Sequence, residues 1–184
     1  MHAISAEYHH PVDITWYAIV MAKFLQCTHK AKSSFWIQHG NRDPENTDVF
    51  GYVTAEVGFL VDTDPDATFK ERLQHCFKLM TDLSEEHRNV FPEISNAHPA
   101  FESFLKCSVG INMVGSAMDV TDRTVIHKAL GGGGDNAMVW GPMNWIEIGN
   151  ESNHEIVFYG RTDIVDFGYN VLLPALCDMD LGKL

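Results

Sequence analysis

The sequence predicts an α/β domain, and three observations carry that prediction. Two long segments, 14–30 and 69–83, repeat apolar residues at helical spacing. Shorter runs rich in β-branched and aromatic residues, at 33–39, 49–61, 105–114, 138–148 and 155–159, read as strands. With 45% hydrophobic residues, 11 Phe, 4 Trp and 5 Tyr, the 184 residues suffice for one filled core and do not resemble a disordered chain. A single domain over 1–184 is the default at this length.

Asp13 is a candidate N-cap for the first helix. Tyr17, Val20, Met21, Phe24 and Leu25 fall on one face. Ile14, Ala18, Ile19 and Ala22 widen that face, so most of this helix should be covered by the rest of the protein. Lys23, Lys30 and Lys32 come toward its end, where positive charge suits the helix dipole. Ser33–His39 reads as a short strand, and Gly40–Pro44 as a turn.

The segment Val49–Phe69 is the most informative. Gly51 sits inside a long apolar run, marking a bulge or a close backbone approach, and the run ends in an acidic turn. Thr68-x-x-Glu71 forms a capping box for a helix whose face is Phe69, Leu73, Cys76, Phe77, Met80 and Leu83. Asp62, Asp64 and Asp66 are not a calcium loop, because the glycine and later glutamate of that loop are missing.

Leu105–Val114 is a strand by composition. Residues 115–136 are irregular and include Gly131 to Gly134, which lack the Gly-Lys-Ser/Thr continuation of a phosphate loop. Met138–Ile148 and Glu155–Tyr159 pair across a turn at 149–153. Asp166–Cys177 forms a short closing helix interrupted by Pro174.

Several functions are excluded. A net charge of -12, from 13 basic and 25 acidic residues, leaves no basic stripe for nucleic acid or an anionic membrane surface. Cys27, Cys76, Cys107 and Cys177 form no C-x-x-C pair, which argues against a zinc site and for a reducing compartment. There is no signal-peptide pattern and no apolar run of spanning length, so a soluble cytoplasmic protein is expected. G-x-S-x-G, H-E-x-x-H and G-x-G-x-x-G are absent.

The order of these elements resembles the second, C-terminal lobe of nonribosomal peptide synthetase condensation domains, in the chloramphenicol-acetyltransferase-like superfamily of CoA-dependent acyltransferases. Asn41-Arg42 stands where that family has a short Asn-Arg or Gly-Arg element. Gly51-Tyr52-Val53-Thr54-Ala55 stands for its Gly-x-Phe-Val-Asn-Thr strand, with Thr54-Ala55 replacing Asn-Thr. After the second helix, His87, Val90 and Glu93 match His-Gln-Asp-Val-Pro-Phe-Glu, while Pro and Phe are swapped at Phe91-Pro92. Asn112 falls on the strand that runs along the channel side in this family. The resemblance spans about 13–177.

The resemblance implies a two-layer sandwich, with a mixed sheet and helices on one face, forming one lobe of such a fold. It implies a contribution of tunnel wall and carrier-protein surface to amide or ester formation, with no tightly bound cofactor. Phosphopantetheine-linked or CoA thioesters would be the substrates. The partner would be a first-lobe chain or synthetase module, or a second copy of this chain. A non-catalytic interaction module keeping the same scaffold is the alternative.

The family's general base belongs to an HHxxxDG motif on the first lobe. His9-His10-Pro11-Val12-Asp13 echoes it, making His10 and Asp13 secondary catalytic candidates, but the spacing is one residue short and the glycine is absent. Asp166-Phe167-Gly168-Tyr169-Asn170 echoes the DFGWG motif of plant-type acyltransferases and is expected in the turn before the final helix.

Overall fold

A computed structural model describes residues 2–40, 54–86, 108–114, 144–149 and 156–180. Five strands form one sheet in the order β2-β1-β3-β4-β5: β1 Lys32–Gly40, β2 Thr54–Asp62, β3 Val109–Val114, β4 Asn144–Gly149 and β5 Ile156–Tyr159. The outer pairs β1–β2 and β4–β5 are antiparallel, whereas β1–β3 and β3–β4 are parallel. The sheet is therefore mixed, as expected.

Strand alternation divides the side chains between two faces. Phe35 and Ile37 of β1, Val61 of β2, Val109 and Ile111 of β3, Ile146 and Ile148 of β4, and Phe158 of β5 form one buried layer. Among the described residues, the helices contribute their apolar side chains to this same core, making a two-layer α/β arrangement.

Helix α1 spans His2–Tyr8 and α2 spans Val12–Thr28. From Tyr17 to Ala22, and again at Phe24 and Leu25, α2 is buried, because it packs on the sheet with other helices on its flanks. Each fully buried Leu, Ile or Met contributes on the order of 2 kcal/mol. Two expectations about α2 are corrected. Its N-cap is Pro11, whose carbonyl accepts from both the backbone N–H and Oγ1 of Thr15 at 2.9 Å, so Asp13 lies inside the first turn. Its last turn holds no basic residue: Lys23 sits over the Phe69 ring, 4.5 Å from the centroid, and Lys32 pairs with Asp62 across β1 and β2.

Both α1 and α2 end on a histidine in the left-handed region, His9 with φ 55° and His29 with φ 52°. The N–H of His29 donates to the carbonyl of Gln26, and that of Lys30 to the carbonyl of Leu25. His9 and His10 do the same toward Ala6 and Ser5. This pair of bonds is the Schellman stop, usually built on glycine.

Helix α3, Phe69–Glu86, opens with the expected capping box. The Glu71 carboxylate accepts from the Thr68 N–H at 2.8 Å, and the Glu71 N–H donates to Thr68 Oγ1 at 3.3 Å. Its buried face is Arg72, Leu73, Cys76, Phe77 and Met80, while Glu71, Gln74, Lys78 and Asp82 are exposed.

The chain after β5 is helical from Thr162: α4 Thr162–Phe167, a π-helical turn Gly168–Leu172, and α5 Leu173–Cys177. Asp166–Asn170 is thus inside a helix, which corrects the expected turn. A proline ring clashes with the carbonyl four residues earlier in a regular helix. Here that carbonyl belongs to Asn170, and the wider π turn accommodates Pro174 without ending the helix.

Candidate functional site

The face of the sheet opposite the described helices carries an ordered row of side chains. Trp36 of β1 stands opposite Gly58 of β2 and Gly110 of β3; Gly110 stands opposite Trp145 of β4, and Trp145 opposite Tyr159 of β5. Glycine therefore flanks each indole on at least one side. A Cβ at Gly110 would lie 2.4, 2.5 and 2.7 Å from three ring atoms of Trp145, so the indole rests on the β3 backbone. Trp36 is buried, while Trp145 and Tyr159 are half-exposed. The next row along contains Asn112 opposite Glu147, and Glu147 opposite Val157, all half-buried.

Strands β1 and β3 share only a short parallel ladder, Phe35–Ile37 against Val109–Ile111, whereas β3 and β4 pair from Val109 to Val114. Beyond Ile37 the described pairing of β1 is with β2. The Met113 N–H donates instead to the hydroxyl of Tyr17 on α2, at 3.1 Å. Tyr17 thus closes the helix side of the gap where β1 and β3 part, and Asn112 lies on the opposite face at that point.

Among the candidates from sequence, Asn41, Arg42, Gly51, Tyr52 and His87 lie outside the described residues. Thr54 is the first residue of β2, paired with Gly40. Asn112 is on β3 beside the β1–β3 gap. His10 belongs to the helix layer: its ring stacks on Phe77 of α3 at 4.7 Å with a 7° interplanar angle, and Tyr8 stacks on the same ring at 4.7 Å. Burial, and secondarily the neighbouring His9, lowers the His10 pKa and favours the neutral ring. Phe77 lies in the core on the helix side, so the structure does not bring His10 and Asn112 together.

The acidic turn before α3 opens on a cleft of about 390 Å³ lined by Asp62, Asp64, Asp66, Glu71 and His75. Its oxygens serve local structure. Asp62 pairs with Lys32, Asp64 accepts from the Asp66 N–H at 2.9 Å, and Glu71 caps α3. Among the described residues, no group of three or more His, Cys, Asp or Glu is placed to hold a metal ion. Nor is any described helix long and apolar enough to cross a membrane.

Sequence reasoning missed Tyr17, on the helix side of the β1–β3 gap, and Trp145 and Glu147, on the opposite face of the sheet. The alternation in Asn-Trp-Ile-Glu-Ile-Gly, where every second residue is buried, was the signal available for Trp145 and Glu147.

No family model matches the sequence, and no curated protein matches it. Solved structures do resemble it. The first condensation domain of the CDA synthetase superposes with a TM-score of 0.60 at 11% identity, over 92% of this chain and 39% of that one. The first condensation domain of the calcium-dependent antibiotic synthetase, in complex with a substrate analogue, gives 0.61 at 12% identity, over 95% and 40%. PapA2 acyl transferase gives 0.58 at 10% identity, over 95% and 39%. This chain spans about two fifths of the length of these neighbours. Among the described residues, the mixed sheet with helices on one face shares its fold with part of these condensation domains and of PapA2 acyl transferase.

Proposed function

We propose that this chain is the second lobe of a condensation or acyltransferase-type domain. It would supply one wall of the substrate tunnel and a surface for a carrier protein. The observation that carries this reading is the pairing of two coverages: over nine tenths of this chain superposes on only about two fifths of a condensation domain. The two family-like motifs, around Gly51 and His87, stand in the second lobe's order along the sequence.

In the proposed reaction, an acceptor amine or hydroxyl attacks the carbonyl carbon of a thioester carried on phosphopantetheine or CoA. The new C–N or C–O bond forms as the C–S bond breaks and the thiol leaves. A general base must take the acceptor's proton. HHxxxDG does not occur in these 184 residues, and His10 is stacked within the helix layer, so the base would come from outside them. The role left to this lobe is positioning: Asn112, beside the β1–β3 gap, would face the tunnel. The setting would be the cytoplasm, where such carriers are loaded.

The test is the native mass of the protein purified from its source, with every co-eluting chain identified. A polypeptide carrying HHxxxDG, in stoichiometric complex or joined to this segment, supports the reading. Recovery without that motif replaces it with the non-catalytic interaction module, which the change of Asn-Thr to Thr54-Ala55 favours.

A further inference from the structure

We infer that the Tyr17 hydroxyl is a latch: by taking the Met113 N–H, it holds β1 and β3 apart beside Asn112. The latch belongs to the fold itself and stands or falls separately from the lobe assignment.

The split is confined to one pair of strands. β1 continues to Gly40 against β2, and β3 continues to Val114 against β4, yet the ladder they share stops at Ile37 and Ile111. Carried on in the same register, it would set Gln38 opposite Asn112 and His39 opposite Met113. The N–H groups along a strand point alternately to its two neighbours. That of Met113 donates to Tyr17 at 3.1 Å and so is not spent on the β3–β4 ladder, which leaves β1 as the strand it would otherwise serve. A side chain from α2 thus takes the donor that the next β1–β3 bond would use.

Tyr17 is well placed to compete. It is buried on α2, within the core that the sheet shares with the helices, so its hydroxyl is held in position. A backbone N–H away from water must find an acceptor. With Tyr17 present the strands can part and the donor is still satisfied; without the hydroxyl, the nearest substitute is a β1 carbonyl. The two arrangements exchange one hydrogen bond for another, the condition for a two-state element. Its position also matters. From β1 the chain steps to β2 on one side and returns as β3 on the other, and α/β sheets take ligands at the carboxyl ends of strands at such a reversal.

The experiment compares the full chain with Tyr17→Phe by NMR, following the Met113 amide and the proton–proton contacts between β1 and β3. In Tyr17→Phe, contacts of Gln38 and His39 with Asn112 and Met113 are expected to appear that the unaltered chain lacks. A β1–β3 ladder that still stops at Ile37 and Ile111 in this variant would overturn the inference. In the unaltered chain the Met113 amide is expected to exchange with solvent at least about a hundredfold more slowly than in a free peptide. Exchange there at the free rate would equally overturn the latch, and this measurement decides the matter should Tyr17→Phe not fold.

Discussion

The guanidinium of Arg72 donates from Nη1 to the carbonyl oxygen of Lys30, 3.1 Å away and 42 residues earlier in the chain. The same nitrogen reaches Thr63 Oγ1 at 2.7 Å, Nη2 reaches the Pro65 carbonyl at 2.7 Å, and Nε reaches that of Ala67 at 3.1 Å. Arg72 is buried, and these bonds to neutral oxygens tie the exit of α2 to the turn between β2 and α3. Arg72→Met removes four hydrogen bonds to part-buried oxygens and should cost about 3 kcal/mol. That is roughly 10 °C in Tm for a chain of this size, readable by circular dichroism. Arg72→Lys keeps the charge but concentrates its donors on one nitrogen, so it should recover less than half of the loss.

The Glu71 cap makes stability depend on pH. The backbone bond from Thr68, and then its hydroxyl, hold the Glu71 carboxyl below its ordinary pKa. A carboxylate lowered in the folded state stabilises above its unfolded-state pKa and loses that contribution as pH falls through the folded value. Wild type and Glu71→Gln should therefore differ most near neutrality and converge in acid, below the usual glutamate value of about 4.3. Urea melts at pH 7 and pH 3 check this. An equal difference at both would show that charge has no part in the cap.

Much of this architecture is legible in the sequence because its determinants are local. Thr68 and Glu71 are three residues apart, so the start of α3 can be read directly. The even spread of apolar residues in α2 announces a helix covered on most sides. The helix stops at His9 and His29 are harder to read, because the left-handed position lacks its usual glycine. Arg72 reads as one more charged residue on an amphipathic helix. Its burial depends on oxygens from residues 30, 63, 65 and 67, which only the fold assembles. The Gly58–Trp36–Gly110–Trp145–Tyr159 row is similarly hidden, since register between distant strands leaves no trace in any one of them. Asn112 was singled out by resemblance, and the structure sets it beside the β1–β3 gap; most other candidates lie outside the described residues.

His29 should be replaceable with profit. Its φ of 52° costs a side-chain-bearing residue roughly 1–2 kcal/mol, and glycine escapes that cost while losing more chain entropy on folding. The balance predicts that His29→Gly stabilises by about 0.5 to 1 kcal/mol. His29→Val should destabilise, since β-branched residues tolerate this region worst. Thermal melts of the two variants should move in opposite directions.

The free thiols should separate by accessibility. Cys76 is fully buried on α3, and desolvation pushes its pKa up to about 12, against the opposing influence of Arg72. Thiolate is the reactive form, so Cys76 should resist thiol reagents at pH 8 until the protein unfolds. Cys177, exposed at the end of α5, should be modified in the native state. Mass mapping after brief iodoacetamide treatment, with and without urea, checks the order. Native labelling of Cys76 would mean that α3 opens readily.

Gly110 and Trp145 should be coupled as a pair. In Gly110→Ala the new methyl falls within 2.4 Å of the indole, so the ring must leave the β3 backbone, at a cost of about 1–3 kcal/mol for overpacking. Trp145→Ala alone also destabilises, by removing the ring's contacts. In the double variant the methyl meets no ring, and the alanine no longer incurs its penalty; it even limits the unfolded chain's freedom slightly. The two single effects should therefore sum to more than the double effect, by about the overpacking cost. Denaturant melts of the four proteins measure that difference directly. Additive effects would show that the indole does not rest on Gly110.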